Sequence, residues 1–272
     1  MNHSIDPSSL AALPQGPGVY IFKGQGTLPL YIGKSVNIRS RVMSHLRAVD
    51  EANMIAQTRD IEFIETAGEL GALLLESRMI KAQSPLFNQR LRRTRRLSSI
   101  RLCQTNKSTA LEIVDSKTVN LGSTPKLFGL FSSTHSAKKK LNELAQLHGL
   151  CKSILGIEKT SMRGCFGLQI KTCLGACVGK EDRRLHDERL LAALKDLQVE
   201  VWPFNGAVEL IEEHNGWVQK HRVNNWCHLE TWCSKTGQAS QFNALNPQEF
   251  DRDSYHILVK PILLQTVKVQ AC

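Results

Sequence analysis

Residues 16–35 read GPGVYIFKGQGTLPLYIGKS. Two short β-prone runs, VYIF at 19–22 and LYIG at 30–33, flank KGQGTLP, a turn segment with two glycines and a proline. This pattern commits the N-terminal region to a hairpin. It also places two phenols, Tyr20 and Tyr31, in one glycine-studded ribbon, with Lys34 directly after it. Tyrosines in hairpins are commonly cross-strand packing residues. The lysine beside them raises a chemical alternative.

Beyond the hairpin the pattern alternates between helix and strand. In SVNIRSRVMSHLR (35–47), Ile38, Val42 and Leu46 recur every four residues, which predicts a helix with Ser35 as its N-cap. Arg41 and His45 are also four apart and neighbour each other on another side of that helix. IEFIET (61–66) alternates like a strand. ELGALLLESRMIKAQ (69–83) reads as a helix with Leu70, Leu73, Leu74 and Ile80 as its buried stripe. Pro85 ends it, and Asn88 lies just beyond. Glu76 borders the stripe, where a glutamate stem ordinarily covers the edge of a core. Arg41 and His45 have an ordinary reading as surface residues, and Asn88 as a turn residue.

Charge narrows the partners. The chain has 272 residues, enough for two compact units, and carries 35 Lys+Arg against 25 Asp+Glu, a formal charge of +10. Such an excess favours nucleic acid or an anionic membrane surface. No apolar run approaches the length of a spanning helix, and MNHSIDPSSLAALPQG lacks the basic and apolar regions of a secretion signal. A reducing cytoplasm is expected. The eight cysteines are then free thiols or metal ligands rather than disulfides.

Taken in order, Gly-Val-Tyr, Tyr-Ile-Gly-Lys, Arg41, His45, the LLLE run ending at Glu76, and Asn88 resemble the GIY-YIG nucleases. GPGVY, LLLE and PLFN look most like the N-terminal nuclease of the excinuclease subunit UvrC, and the short chain resembles the single-nuclease branch of that family. The resemblance is strong over 16–91 and looser to about residue 180. Val19 replaces an isoleucine, and His45 stands where a tyrosine is common. The resemblance implies a small antiparallel sheet flanked by helices, an α+β fold, and one phosphodiester-hydrolysing site. In that site Tyr20 or Tyr31 serves as general base, its proton loosened by Lys34 and a divalent cation. Glu76 holds one Mg²⁺ or Mn²⁺. Arg41 faces the scissile phosphate, His45 positions it or assists proton transfer, and Asn88 orients its neighbours.

The next segment, QRLRRTRRLSSIR (89–101), holds Arg90, Arg92, Arg93, Arg95 and Arg96, with no acidic residue between Glu76 and Glu112. It reads either as a solvated basic linker or as a track for the DNA backbone, the latter being better because it leaves the expected site directly. It also marks a boundary, giving a division into 1–97, 98–200 and 201–272. In the middle part SSIRLCQ and ALEIVDS look like strands, 136–150 like an amphipathic helix and 182–201 like another. Cys151, Cys165, Cys173 and Cys177 follow a C-x13-C-x7-C-x3-C spacing that matches neither a common zinc ribbon nor the ferredoxin runs. By resemblance to UvrC this region implies an iron–sulfur cluster, while four thiolates also suit zinc, and buried core cysteines are the plain alternative. Residues 201–272 carry no resemblance. They contain all four tryptophans and read as a small β-rich unit.

Three functions stay open at this level. One is an excision-repair endonuclease making a single 3′-side cut in damaged DNA already loaded with UvrB, with UvrA upstream. The second is a non-catalytic nucleic-acid-binding protein on a degenerate scaffold. The third is a homing or restriction-type nuclease.

Overall fold

The structure, a computed structural model, describes residues 4–88, 96–104, 109–159, 163–241 and 250–272. The chain divides into two compact units, one of 1–93 with 203–272 and one of 94–202. The first and last stretches of the expected three-part division therefore lie in one unit.

That unit opens with α1 (Pro7–Ala11), capped by the Asp6 side chain. Strands β1 (Gly18–Lys23) and β2 (Pro29–Ser35) form the expected hairpin, with Tyr20 opposite Gly33. After α2 (Ile38–His45) and α3 (Ala52–Gln57), β3 (Asp60–Glu65) pairs with β1, giving an antiparallel order β2-β1-β3. The central strand is buried on both faces, so its sequence does not alternate. Tyr20 and Phe22 join Ile38, Val42, Met54 and Ile61 in one cluster. Val19, Ile21 and Ile32 join Ile80 in another. Ile80 belongs to α4 (Glu69–Gln83), whose bounds match the predicted helix. It ends where Ser84 takes a left-handed conformation, just before Pro85.

Three details depart from expectation. The N-cap of α2 is Asn37, whose side chain accepts the Ser40 amide at 2.9 Å; Ser35 is still paired in β2 and donates its hydroxyl to the Asn37 carbonyl. Leu73 is only half-buried, because Ala72 and Ser77 take the inward positions of α4. The short α3 has no counterpart among the expected elements.

In the middle unit β4 (Ser98–Gln104), β5 (Thr109–Asp115) and β6 (Leu127–Phe131) form a sheet of order β5-β4-β6. Against it pack α5 (Thr134–His148), opened by a Ser133–Ser136 capping box, and, after the short α6 (Phe166–Gln169), α7 (Arg183–Leu194). The contacts run through Leu141, Leu144, Leu190 and Leu194. The expected helix over 182–201 stops at Leu194. A 3₁₀ turn follows, and the Val199 amide then donates to the Leu127 carbonyl at 2.9 Å, taking the chain back to the sheet.

The C-terminal stretch completes the first unit with a second antiparallel sheet. Strands β7 (Val208–His214), β8 (Trp217–Asn224), β9 (Cys227–Cys233), β10 (Gln238–Gln241) and β11 (Lys268–Ala271) are ordered β10-β9-β8-β7-β11. The β7–β8 turn is Asn215-Gly216, both at positive φ, the chemistry of a tight hairpin. Helix α8 (Arg252–Leu263) brings Tyr255 edge-on to the fully buried Trp226, at 5.2 Å between centroids. Trp217 is also buried, so these two tryptophans are core residues.

Candidate active site

Sheet and helix α2 bring the N-terminal candidates together. Tyr20, on the central strand, is 1% exposed, and its hydroxyl lies 2.6 Å from His45 Nε2. The other ring nitrogen, Nδ1, hydrogen-bonds the Glu51 carboxylate. A carboxylate only accepts, so Nδ1 carries the proton and Nε2 accepts from Tyr20. His45 is itself 2% exposed, which removes its reading as a surface residue. The Tyr31 ring lies 6.2 Å from that of Tyr20 and 5.5 Å from His45. Tyr31 is only half-buried. Arg41, exposed and one turn before His45, lies close enough for its charge to favour the Tyr20 phenolate.

Gly33 makes this arrangement possible. A methyl group at its Cα would sit 2.3 Å from the Tyr20 oxygen. Burial pushes both phenols above their ordinary range; nearby Tyr31 adds to the effect at Tyr20, Glu76 adds to it at Tyr31, and Arg41 opposes it at both. Burial pushes His45 down, against the Glu51 carboxylate, so the ring is neutral at neutral pH.

Glu76 sits on α4 facing the end of β2. Burial raises its carboxyl, opposed by the Lys34 amide, which donates to Oε1 at 3.0 Å, and by the Lys34 charge. Among the described residues no cationic side chain forms an ion pair with Glu76. A half-buried carboxylate with one oxygen held by an amide is the kind of donor a hard divalent ion takes, beside waters and phosphate oxygens. The Lys34 ammonium was expected beside the phenols. It pairs instead with Glu69, so the cation whose charge acts on Tyr20 is Arg41. Asn88 makes two hydrogen bonds to Ile32, accepting from its amide and donating to its carbonyl, each 2.8 Å. It thereby fixes β2 between Tyr31 and Gly33.

Sequence reasoning missed Glu51. It lies six residues after His45 in a turn, and no periodicity ties it to the helix. The arginines divide: Arg90, Arg92, Arg93 and Arg95 lie outside the described residues, whereas Arg96 is exposed and pairs with Asp115.

In the other unit Cys151, Cys165 and Cys173 are buried with their sulfurs within 4.8 Å of one another, and Cys177 packs against them. Burial pushes the Cys165 thiol up to about 11 and raises Cys173. Left-handed glycines at 164, 175 and 179 turn the chain around this knot. A buried thiol cluster fits a thiophilic metal or an iron–sulfur group, whose charge would offset the cost of ionising the sulfurs.

Three family models match in succession: a UvrC-like GIY-YIG domain over 16–89, the UvrC/Cho excinuclease middle domain over 97–196, and the excinuclease Cho C-terminal domain over 207–272. The excinuclease Cho of Salmonella typhimurium is 47% identical over 256 residues, spanning 93% of this chain and 85% of that protein. The chain belongs to the Cho excinuclease family. The Cho protein of Escherichia coli K12 is 46% identical over 260 residues, covering 94% and 85%. A UvrABC system protein C from Geobacter metallireducens is 33% identical over 64% of this chain and 29% of its own length. Among solved structures, the magnesium-bound GIY-YIG domain of Thermotoga maritima UvrC is 32% identical, covering 30% of this chain and 92% of that one, with a TM-score of 0.28.

Family membership decides among the three functions. The protein is an excision nuclease with a GIY-YIG endonuclease domain, of the UvrC-like kind that incises DNA in nucleotide excision repair. It also gives the last stretch a place as the Cho C-terminal domain, over 207–272. Among the described residues no helix is long and apolar enough to cross a membrane.

Proposed function

We propose that the site formed by Tyr31, Tyr20, His45, Glu51, Arg41 and Glu76 makes a single incision on the 3′ side of a lesion. The observation that carries this reading is the hydrogen-bonded series from buried Tyr20 to His45 and Glu51, with the half-buried Tyr31 ring packed 6.2 Å from that of Tyr20. Tyr31 is the phenol that solvent reaches. It takes a proton from the attacking water as its own proton passes to the Tyr20 oxygen. The Tyr20 proton passes in turn to His45 Nε2, and Glu51 stabilises the imidazolium that results. Arg41 faces the charge that develops on the phosphate. Glu76 would hold one Mg²⁺ or Mn²⁺, which would supply Lewis-acid stabilisation of the developing charge. Asn88 holds the strand that presents Tyr31.

The arginines at 90, 92, 93, 95 and 96 bind DNA backbone without reading sequence. Selectivity then comes from a partner that has already found the lesion, by family resemblance UvrB on damaged duplex with UvrA upstream, in the cytoplasm. Cys151, Cys165, Cys173 and Cys177 hold an iron–sulfur cluster or zinc as a structural element. End-labelled lesion DNA run on a sequencing gel, with and without UvrB and Mg²⁺, tests the reading. One 3′ cut requiring both is expected. Efficient sequence-specific cutting without UvrB would overturn it, as would two cuts by this chain alone.

A further inference from the structure

Helix α4, which carries Glu76, lacks an N-terminal cap of its own: its cap residue is Gly68, which has no side chain to offer. The C-terminal sheet supplies one. Glu212 of β7 accepts the Leu70 amide at 2.9 Å through Oε1 and the Gly71 amide at 2.7 Å through Oε2. Behind it, His221 of β8 bonds Oε2 at 3.1 Å and is itself held by Thr231 of β9 at 2.9 Å. Gln219 accepts the Ala67 amide at 2.9 Å. At the other end of α4, Lys81 pairs with Asp251 at 2.7 Å and with Asp253 at 2.8 Å, both at the start of α8.

Two glycines leave room for this grip. A Cβ on Gly68 would lie 2.1 Å from a Glu212 oxygen, and one on Gly71 would lie 2.9 Å from the His221 ring. Neither glycine is called for by its own backbone: Gly68 is extended, at φ −169°, and Gly71 lies inside the helix, where glycine is a poor residue. Their smallness serves the neighbouring sheet.

We propose that the C-terminal sheet and α8 form a clamp that positions helix α4, with Glu212 as the positioning residue that sets Glu76 for its divalent ion. The clamp works because a helix is stiff along its axis. Fixing its first-turn amides and its last-turn lysine fixes the carboxylate between them. Glu212 touches neither substrate nor metal and acts only through the backbone of α4. The inference rests on the reading of Glu76 as the metal ligand.

The test uses the full chain and Mn²⁺ as probe. Mn²⁺ binding to the free protein is read by electron paramagnetic resonance, beside the Mg²⁺ concentration for half-maximal incision and the affinity for DNA. Glu76→Ala is the control for the underlying reading; if it binds Mn²⁺ like the natural chain, Glu76 is not the metal ligand and the proposal falls with that premise. With that control passed, Glu212→Gln and Gly68→Ala should each weaken Mn²⁺ binding and raise the Mg²⁺ midpoint by about 10-fold, the usual effect of loosening a ligand's support, with DNA affinity unchanged. Because both break one contact, the double variant should be little worse than either alone. Gly71→Ala favours the isolated helix yet should shift the midpoint the same way. A lowered melting temperature with Mn²⁺ affinity unaltered in both Glu212→Gln and Gly68→Ala would overturn the proposal, leaving Glu212 a purely structural cap.

Discussion

Gly33 and Tyr20 face each other across the β1–β2 ladder, and a methyl group at residue 33 would meet the phenolic oxygen at 2.3 Å. Gly33→Ala should push that oxygen off His45 and lower incision more than it lowers stability, a split that parallel rate and melting measurements would reveal. His45 gives a pH signature. Burial lowers its pKa below the unfolded value, against Glu51, with the Arg41 charge also lowering it. A group with a depressed folded pKa favours the folded state above its unfolded pKa, and that contribution is lost as pH falls through the folded value. Incision should therefore fall on the acid side below the ordinary histidine value of about 6.5. Glu51→Gln removes the carboxylate that raises His45, so the acid limb should move to lower pH while the maximal rate drops. A pH–rate profile that keeps its acid limb would disconnect His45 from the reaction. Glu76→Ala should abolish incision and leave DNA affinity largely intact, whereas Arg41→Ala should cost roughly 10²–10³ in rate, as loss of a transition-state donor does.

Elements in this protein are held as much by distant partners as by their own sequence. Helix α4 shows this best: its predicted bounds needed only local pattern and Pro85, but its cap comes from β7, more than a hundred residues on. Burial alone would raise the Glu212 carboxyl; His221 and the Leu70 and Gly71 amides outweigh it and hold it below the usual range. Glu212→Ala should therefore cost about 2 kcal/mol at neutral pH, since two helix amides and an imidazole lose their acceptor. With its pKa depressed by folding, the charged cap contributes above the unfolded carboxylate pKa of about 4.3 and is lost as pH falls through the folded value. Urea unfolding at pH 7 and again in the acid range should show the difference between the two chains shrinking. An equal difference at both would mean that the carboxylate charge is not what caps α4.

On the scale of the molecule, the contact pattern joins 1–93 to 203–272 and leaves 94–202 as a compact unit of its own. A chain stopped at residue 93 loses the Glu212 cap, the Gln219 contact and the α8 ion pairs. It should be markedly less stable than a 1–93 fragment co-expressed with 203–272, as hydrogen exchange across α4 would report. The middle unit carries its own core and the cysteine knot. Anaerobically purified protein should be brown, absorbing broadly near ~400 nm, if the thiolates hold an iron–sulfur cluster. Colourless protein with stoichiometric zinc would replace iron by zinc, and protein with neither metal would leave four core cysteines.

Much of the site was legible in the sequence because it is built from local elements. Tyr20, Tyr31 and Lys34 come from one hairpin, Arg41 and His45 from one helical turn, and Glu76 from a helix whose period is plain. Their order along the chain also carried the family resemblance. Tertiary structure alone decided what those residues do to one another. The buried central strand hides Tyr20 and leaves Tyr31 reachable, and the turn into α3 brings Glu51, which no period marks, against His45. Packing sent the Lys34 ammonium to Glu69 and gave the phenols Arg41 instead. Gly71 looks like a defect in a helix, and Gly68 like an empty cap, until the sheet of 208–271 is seen to need their space. Hydrophobic period and turn chemistry act over a few residues and can be read from order alone. Hydrogen bonds, charge pairing and close approach depend on distance in space, and only the folded chain sets that distance.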